Sequence, residues 1–185
     1  MNDKAPRVSG ETYFFRDQGQ IDLLRLRLLP ELIRRRQDTK QLSLWSAGCA
    51  SGEEAYSLAM LVDMLLPERD GWDIKILGND IDQTALAKAR RGLYGQWSFR
   101  MVPPALHQRY FQQRGDRWVL DERIRRMVSF RALDLIEGPY PGGDLRDMDL
   151  ILCRNVFIYF NPGAVKGVAD KLSATLSEGG YLLTG

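Results

Sequence analysis

The sequence predicts an α/β fold in which a doubly wound, mostly parallel sheet carries helices on both faces and a small antiparallel β inset. Segments with strand patterns alternate with segments with helix patterns, and this alternation implies parallel strands joined by crossover helices. Residues 97 to 127 depart from the alternation after the second crossover and predict the inset. With 185 residues, the chain is long enough for one domain with a substantial core.

The first elements are an amphipathic helix and a buried strand. In "GQIDLLRLRLLPELIRRRQ" the apolar residues recur at helical spacing: Ile21, Leu24, Leu28 and Leu32. Pro30 must kink this helix, end it or begin a second one. "QLSLWSA", residues 41 to 47, predicts a short buried strand, and an apolar stripe from Gly52 predicts a helix that ends before Pro67.

The middle of the chain continues the same order. "WDIKILGND", residues 72 to 80, predicts a second strand, and "DQTALAKARRG" a helix capped by Asp82 and ended by Gly92. Two further strands are predicted at residues 127 to 135 and 148 to 155.

The inset and the C-terminal elements complete the prediction. Within the inset, "VPPALHQRYF" indicates a short helix and "RWVLDERIRRMV" a small hairpin. Near the end of the chain, Asn161 caps a helix that Gly179 and Gly180 end, and "GYLLTG" begins a final strand.

Composition excludes several kinds of site. His107 is the only histidine, so a serine–histidine triad, a histidine general base and a multi-histidine metal centre are disfavoured. Cys49 and Cys153 lie in apolar strand-like stretches, which favours two buried thiols over a disulfide or a zinc site. We therefore expect chemistry without a metal.

Charge and hydropathy place the chain among ordinary globular proteins. The net charge is +2, and the basic stretches at 25 to 36 and 109 to 131 are more typical of solvated surfaces than of a docking surface. The longest apolar runs are too short to cross a bilayer, and "MNDKAPRVSG" lacks a signal-peptide core. A cytoplasmic protein without membrane insertion is expected.

The loop after the first strand, "AGCASGEE", combines a tight glycine turn with two acids. Gly48 and Gly52 allow the backbone to bend and approach a ligand, but Glu53 and Glu54 would repel a pyrophosphate. A cationic, phosphate-free adenosine compound fits better, and S-adenosylmethionine (SAM) is one. The alternative is that both acids only favour a helix N-terminus.

Two further clusters lie at the carboxyl ends of predicted strands. Asp80 could accept both ribose hydroxyls if Asp82 serves as the helix cap; otherwise Asp80 is a turn residue. Arg154 and Asn155 end another strand at the same edge. Tyr159, with its polar tip, is expected at the site, where aromatic rings could cover a sulfonium. The neighbouring Phe157 and Phe160 are expected in the core.

With these residues in place, the chain resembles the CheR-type glutamate O-methyltransferases of methyl-accepting chemoreceptors. Four blocks match in order: "TYFFRD", "WSAGCASGEEAYSLAM", "NDIDQTALAKARRGLY" and "ILCRNVFIYFNP". The resemblance implies a Rossmann-like class I SAM-dependent methyltransferase with an antiparallel inset. It also implies a domain at 41–185 preceded by a helical lead-in, residues 1–40, that carries "TYFFRD".

The resemblance also implies roles for individual residues. It implies that Arg16 and Tyr159 lie near the transferred methyl group, and that Asp134 and Leu135 lie beside adenine. The implied cofactor contacts are Thr12, Arg16, Gly48, Glu53, Glu54, Asp80, Asp134, Leu135, Arg154 and Asn155.

The implied reaction converts glutamates of a chemoreceptor to methyl esters and leaves S-adenosylhomocysteine (SAH). Relatives carry an N-terminal helical domain and a closing hairpin, and we expect this chain to lack both unless it is a piece of a longer protein. The alternative is a non-catalytic signalling module that binds SAM, SAH or a partner. A methyltransferase of small molecules or nucleic acid lacks support from an aromatic-interleaved basic strand, and the acidic loop disfavours a NAD-dependent oxidoreductase.

Overall fold

Two β-sheets and seven α-helices make up the part of the chain that the computed structural model describes, residues 11–143 and 145–185. The helices are α1 (Gln18–Leu23), α2 (Leu29–Arg35), α3 (Glu53–Leu65), α4 (Gln83–Arg91), α5 (Pro104–Tyr110), α6 (Glu122–Arg125) and α7 (Pro162–Thr175). The strands are β1 (Gln41–Ala47), β2 (Asp73–Asp80), β3 (Leu93–Tyr94), β4 (Phe111–Arg114), β5 (Arg117–Leu120), β6 (Val128–Ala132), β7 (Met148–Cys153) and β8 (Leu176–Thr184). The first ten residues of the predicted lead-in lie outside the described residues.

The main sheet has five parallel strands in the order β6-β2-β1-β7-β8. The chain runs outward from the central strand β1 through β2 to β6, and then crosses back to β7 and β8. In β1, Leu44 lies between Ile76 of β2 and Leu150 of β7, and all three side chains are buried. This topology confirms the predicted doubly wound sheet, and it places a topological switch point between β1 and β7.

The N-terminal helical region is continuous through a proline. A π-helical turn, Leu24–Leu28, joins α1 to α2, and Pro30 occupies the first turn of α2. Proline is tolerated there because the first turn of a helix leaves N–H groups unpaired, and the wider turn before it accommodates the ring. Of the alternatives predicted for Pro30, the structure is nearest to the start of a second helix, but α2 begins one residue earlier, at Leu29, and follows the π-helical turn without a break.

The helix α4 has both predicted ends. The Asp82 carboxylate accepts hydrogen bonds from the amides of Thr84 at 2.7 Å and Ala85 at 3.2 Å, and Gly92 ends the helix with φ 60°. These are a side-chain N-cap and a left-handed C-terminal residue, as the sequence predicts.

The inset forms a three-stranded antiparallel sheet in the order β3-β5-β4. The expected short helix, α5, lies between β3 and β4 in the chain. The prediction of a hairpin within "RWVLDERIRRMV" was wrong, because only β5 belongs to the hairpin and its partner β4 comes before it. The Asp121 carboxylate accepts a hydrogen bond from the Arg123 amide at 2.8 Å, which caps α6 and ends the strand pattern.

The boundary between α7 and β8 also differs from the prediction. The helix ends at Thr175 rather than at Gly179 and Gly180, and both glycines lie inside β8. Met148 pairs with Leu176 whereas Leu150 pairs with Tyr181, so the strand bulges around the two glycines. The reason is steric, since Gly179 has φ 74° and a Cβ on Gly180 would lie 2.8 Å from the Met148 carbonyl oxygen.

The motif "TYFFRD" packs between the inset and α3. The Phe14 ring contacts those of Tyr94, Phe99 and Phe111 at centroid distances of 4.8, 5.4 and 4.9 Å. The Phe14 amide donates to the Ser98 carbonyl at 3.0 Å, and the Phe15 amide donates to Ser57 Oγ at 2.9 Å. Both buried rings therefore fix the segment beside the carboxyl end of β1.

The two cysteines and the lengths of the helices were also predicted from the sequence. Cys49 and Cys153 are free and buried, which confirms the prediction of two buried thiols. In the described residues, none of the helices has the length and apolar character that a bilayer crossing requires.

Candidate cofactor-binding site

A cavity of about 370 Å³ opens at the carboxyl ends of the parallel strands. Its walls come from the loops that follow β1, β2, β6 and β7 and from the segment around Thr12 and Arg16. Ligands of open α/β sheets bind at this edge, and the volume is within the range of small-molecule sites.

The cavity brings together almost all of the sequence-predicted site residues. Those that line it are Thr12, Arg16, Gly48, Glu54, Asp80, Asp134, Leu135, Arg154, Asn155 and Tyr159. Glu53 does not line it and lies instead beside a second cavity with Ser51, Lys88 and Ser98.

Four amides of the β1–α3 loop, those of Gly48, Cys49, Ala50 and Gly52, are already bonded within the protein. The amides of Gly48 and Cys49 both donate to the Asn79 carbonyl, at 2.9 and 2.7 Å, and the Ala50 amide donates to Asp80 Oδ2 at 2.8 Å. A phosphate-binding loop instead presents free amides to its ligand. This loop therefore has the shape of a nucleotide loop without its anion cradle.

Gly48 is required by the shape of this loop. It has φ 76°, and a Cβ there would lie 2.5 Å from Val156 Cγ2. A side chain at this position would both strain the backbone and collide with the segment that follows β7.

Glu54 provides a negative charge within the cavity. Ser46 Oγ donates to Glu54 Oε1 at 2.7 Å, and Arg154 lies 3.4 Å from Glu54 Oε2. Burial raises the pKa of Glu54, while Arg154 and the Ser46 hydrogen bond oppose the rise. The cavity wall is therefore acidic at Glu54, and the positive charge of Arg154 partly offsets the negative charge of Glu54.

Arg154 connects β7 to the N-terminal segment. Its guanidinium donates to the Arg16 carbonyl at 2.7 Å, and only 4% of its side-chain surface is exposed. Its Nε is buried and has no hydrogen-bond partner among residues 11–143 and 145–185. The guanidinium thus holds the N-terminal segment at the end of β7 and lies beside Glu54.

Asp80 is a turn residue as well as a candidate ligand. Its Oδ1 accepts from the Asp82 amide at 2.9 Å, and its Oδ2 accepts from the Ala50 amide. Asp82 is the helix cap, as predicted, but Asp80 is not free of other contacts. The two amide bonds fix the carboxylate in the cavity wall, and each oxygen retains capacity to accept a hydroxyl.

Asp134 and Leu135 lie in the loop just after β6. Asp134 Oδ1 accepts from the amides of Ile136 at 2.8 Å and Glu137 at 3.3 Å, so the side chain holds a turn at the edge of the cavity. Leu135 is buried, whereas Ile136 on the same wall is exposed.

The aromatic residues after β7 divide between cavity and core. Tyr159 lines the cavity, and Phe157 packs against the hydrophobic core. Phe160 does both, so the expectation that it belongs to the core describes only part of its surroundings.

Sequence reasoning missed two polar residues that support the site. Asn79 Oδ1 accepts from Trp45 Nε1 at 2.7 Å, and Asn79 Nδ2 donates to the Leu133 carbonyl at 3.0 Å, which ties β1, β2 and the loop after β6 together. Ser46 holds Glu54. The available signal was a polar residue inside an otherwise apolar strand, since such groups need a partner when buried.

Comparison with known families now bears on this geometry. The family model described as "CheR methyltransferase, SAM binding domain" matches residues 10–185. The chain belongs to this family. The fold class expected from the resemblance is therefore confirmed. SAM is the cofactor of the family to which the chain belongs.

Individual relatives agree with the family assignment. The chain is 34% identical over 181 residues to the chemotaxis protein methyltransferase of Borreliella burgdorferi, covering 96% of this chain and 63% of the relative. It is 36% identical over 183 residues to chemotaxis protein methyltransferase 1 of Pseudomonas aeruginosa, covering 96% and 65%. The chain thus spans 63–65% of the length of these two relatives.

A more distant similarity is found among solved structures. The SAM-bound magnesium protoporphyrin IX methyltransferase (ChlM) of Synechocystis PCC 6803 has a TM-score of 0.46 and 16% identity, over 86% of this chain and 54% of that chain. The site assignment does not rest on this similarity.

The cavity of this CheR-family chain fits SAM chemically. Glu54 suits a cationic ammonium, Asp80 suits vicinal hydroxyls, and the bonded loop amides leave no cradle for a phosphate.

Proposed function

We propose that this chain is a SAM-dependent methyltransferase that forms methyl esters on glutamate side chains of methyl-accepting chemoreceptors. The observation that carries the proposal is the pairing of Glu54 with Arg154 in a cavity beside which the amides of residues 48–50 donate to groups within the protein. The names of the relatives support the choice of substrate.

Different residues are assigned to different parts of the cofactor. Glu54 would hold the ammonium group, and Asp80 the ribose hydroxyls. Asp134 and Leu135 would border the adenine, while Thr12 and Arg16 would contact the methionine end. We infer that residues 41–185 form the cofactor-binding unit and that the segment around Thr12 completes its wall.

The acceptor needs no general base. A glutamate carboxylate is ionised at neutral pH, so no proton has to be removed before it attacks. His107 packs against Phe99 and Trp118 in the inset and does not line the cavity. Burial lowers the pKa of His107, which further favours its neutral form.

Catalysis by the protein then consists of positioning and electrostatics. When bound, SAM supplies a methyl group attached to a positively charged sulfur. The methyl group is transferred to the acceptor carboxylate oxygen, the sulfur keeps the electrons of the broken bond, and SAH is the product. Arg16 would attract and orient the incoming carboxylate, and Tyr159 would border the reacting groups. We place the reaction in the cytoplasm, the reducing compartment in which free thiols such as Cys49 and Cys153 are expected.

The test is a transfer assay with radiolabelled SAM and receptor fragments that carry the acceptor glutamates. We expect base-labile label on the receptor with the wild type, and none on fragments in which the glutamates are replaced by alanine. An Asp80→Ala variant, which loses the ribose contact, serves as the matched control. Binding of SAH without any base-labile label would contradict the proposal and favour the non-catalytic module.

A further inference from the structure

Glu53 is a buried carboxylate that the reaction above does not use. Only 1% of its surface is exposed. Its Oε2 accepts from Ser51 Oγ at 2.7 Å, its Oε1 accepts from Ser98 Oγ at 3.0 Å, and Lys88 Nζ lies 3.8 Å from Oε1. Burying a charge costs free energy, so a buried carboxylate with several hydrogen bonds is expected to have a structural or functional role.

We propose that Glu53 is a positioning residue that holds the segment of residues 11–17 against the cofactor cavity. Residues on both sides of Phe14 and Phe15, namely Thr12 and Arg16, line that cavity. Glu53 reaches the segment by two separate routes. The inference rests on the proposed use of the cavity for the cofactor.

The first route passes through the inset. Ser98 Oγ donates to the Glu53 carboxylate, and the Ser98 carbonyl accepts from the Phe14 amide at 3.0 Å. The side chain and the backbone of one residue therefore connect Glu53 to Phe14. Because Phe14 is buried among inset aromatic rings, a shift of Ser98 is transmitted to it.

The second route passes through α3 itself. The Glu53 carbonyl accepts from Ser57 Oγ at 2.7 Å, and the same Ser57 oxygen accepts from the Phe15 amide at 2.9 Å. This route uses the backbone of residue 53 and remains in any side-chain variant, so the Glu53 carboxylate itself acts on the segment through Ser98. Phe15 has φ 56°, an uncommon conformation for a non-glycine residue that these contacts help to hold.

The other end of the segment is held by a different group. Arg154 donates to the Arg16 carbonyl at 2.7 Å. Arg16 is therefore located between a contact from β7 and the amides that Glu53 supports. Loss of the Glu53 carboxylate should loosen the Ser98 support of Phe14 while the Ser57 contact and the Arg154 contact remain.

The test is the affinity for SAH, measured by calorimetry, of the full chain with Glu53→Ala. We expect about three- to tenfold weaker binding, the effect of losing one supporting hydrogen bond. The matched control is Asp63→Ala on the same helix, which removes an equally buried carboxylate bonded to Arg109 and Tyr110 away from the cavity. It should lower the melting temperature yet bind SAH as the wild type does.

A conservative variant and a double-mutant cycle separate positioning from general stability. In Glu53→Gln the amide can still bond both serine hydroxyls, so SAH affinity should return close to the wild-type value. In an Arg16→Ala background, adding Glu53→Ala should have a smaller effect than in the wild type, because one of the two cavity-lining groups being positioned is already gone. If Glu53→Ala does not fold, Ser98→Ala removes the same contact and should weaken binding in the same direction.

The outcomes separate this inference from the proposed function. Failure of the wild type to bind SAH would contradict the proposed function as well. Wild-type SAH binding together with unchanged affinity in Glu53→Ala or Ser98→Ala would overturn the inference about Glu53 alone. Equal weakening by Asp63→Ala, or additive effects of Arg16→Ala and Glu53→Ala, would also overturn it.

Discussion

Two adjacent glutamates at the start of α3 have different surroundings and different roles. Consecutive residues of a helix point in directions about 100° apart, so Glu53 and Glu54 at the start of α3 cannot both face one ligand. Glu54 faces the cavity, and Glu53 is buried against the inset. The acidic pair in the sequence therefore combines one candidate ligand and one supporting residue.

Replacing Glu54 should weaken cofactor binding strongly. Glu54→Gln keeps the shape of the side chain but removes the charge that would hold the ligand ammonium. We expect a loss of about 1.5–3 kcal/mol, or roughly ten- to a hundredfold in the dissociation constant for SAH, the range for hydrogen bonds to charged groups. Calorimetry measures it, and wild-type affinity in Glu54→Gln would exclude Glu54 as a ligand.

The affinity for SAH should also fall as the pH falls. Burial raises the pKa of Glu54 above its ordinary value of 4.5, so the carboxylate takes up a proton as the pH decreases from 7 toward that raised pKa. Protonation removes the attraction for the ammonium group, which stays charged. Titrations between about pH 7 and pH 5 should show the decrease for the wild type and a flatter profile for Glu54→Gln. A profile that rises toward low pH, or equal slopes in both proteins, would contradict this assignment.

Among the secondary-structure elements, the β1–α3 connection depends most on glycine. Gly52 has φ 92°, and a Cβ there would lie 2.8 Å from Ala89 Cβ and 3.1 Å from Phe130 Cζ. We expect Gly52→Ala to lower the free energy of unfolding by about 1–3 kcal/mol, because backbone strain and a collision with α4 coincide. Chemical denaturation measures the change.

Gly167 provides the matched control for that experiment. It lies within α7, and a Cβ there would meet no atom within 4 Å. Gly167→Ala should stabilise the protein by about 0.5–1 kcal/mol, since alanine is the better helix former. Destabilisation by both substitutions, or by neither, would show that the backbone conformation of Gly52 does not determine the change in the free energy of unfolding.

Most elements could be predicted because their signals are local. The ends of α4 follow from Asp82 and Gly92, and the buried strands follow from short apolar runs. The end of α7 could not be predicted in this way. Gly179 and Gly180 read as a helix stop, whereas the bulge that they form exists only because β8 pairs with β7 across a long separation in sequence.

At the scale of the whole molecule, the location of the site could be predicted because it follows from the topology of the sheet. Parallel strands end at one edge of the sheet, so Gly48, Asp80 and Arg154 had to lie close together. The parts that could not be predicted depend on tertiary contacts. Neither the bridge through Asn79 nor the anchoring of Phe14 and Phe15 leaves a local pattern, because each joins segments that are far apart in the chain.

The inset and the N-terminal segment extend this topology into a closed site. The sheet supplies one side of the cavity, and residues 11–17 supply the other, held between the inset and β7. A parallel sheet alone is shared by enzymes of many kinds. What distinguishes this one is the nature of its ligand, an adenosine compound with positive charge and no phosphate.

Competition calorimetry between SAH and NADH on the wild-type protein measures that distinction. We predict that SAH binds with one site per chain and an affinity in roughly the micromolar range, and that saturating NADH leaves this binding unchanged. Displacement of SAH by NADH, or the absence of any SAH heat with folded protein, would contradict the account.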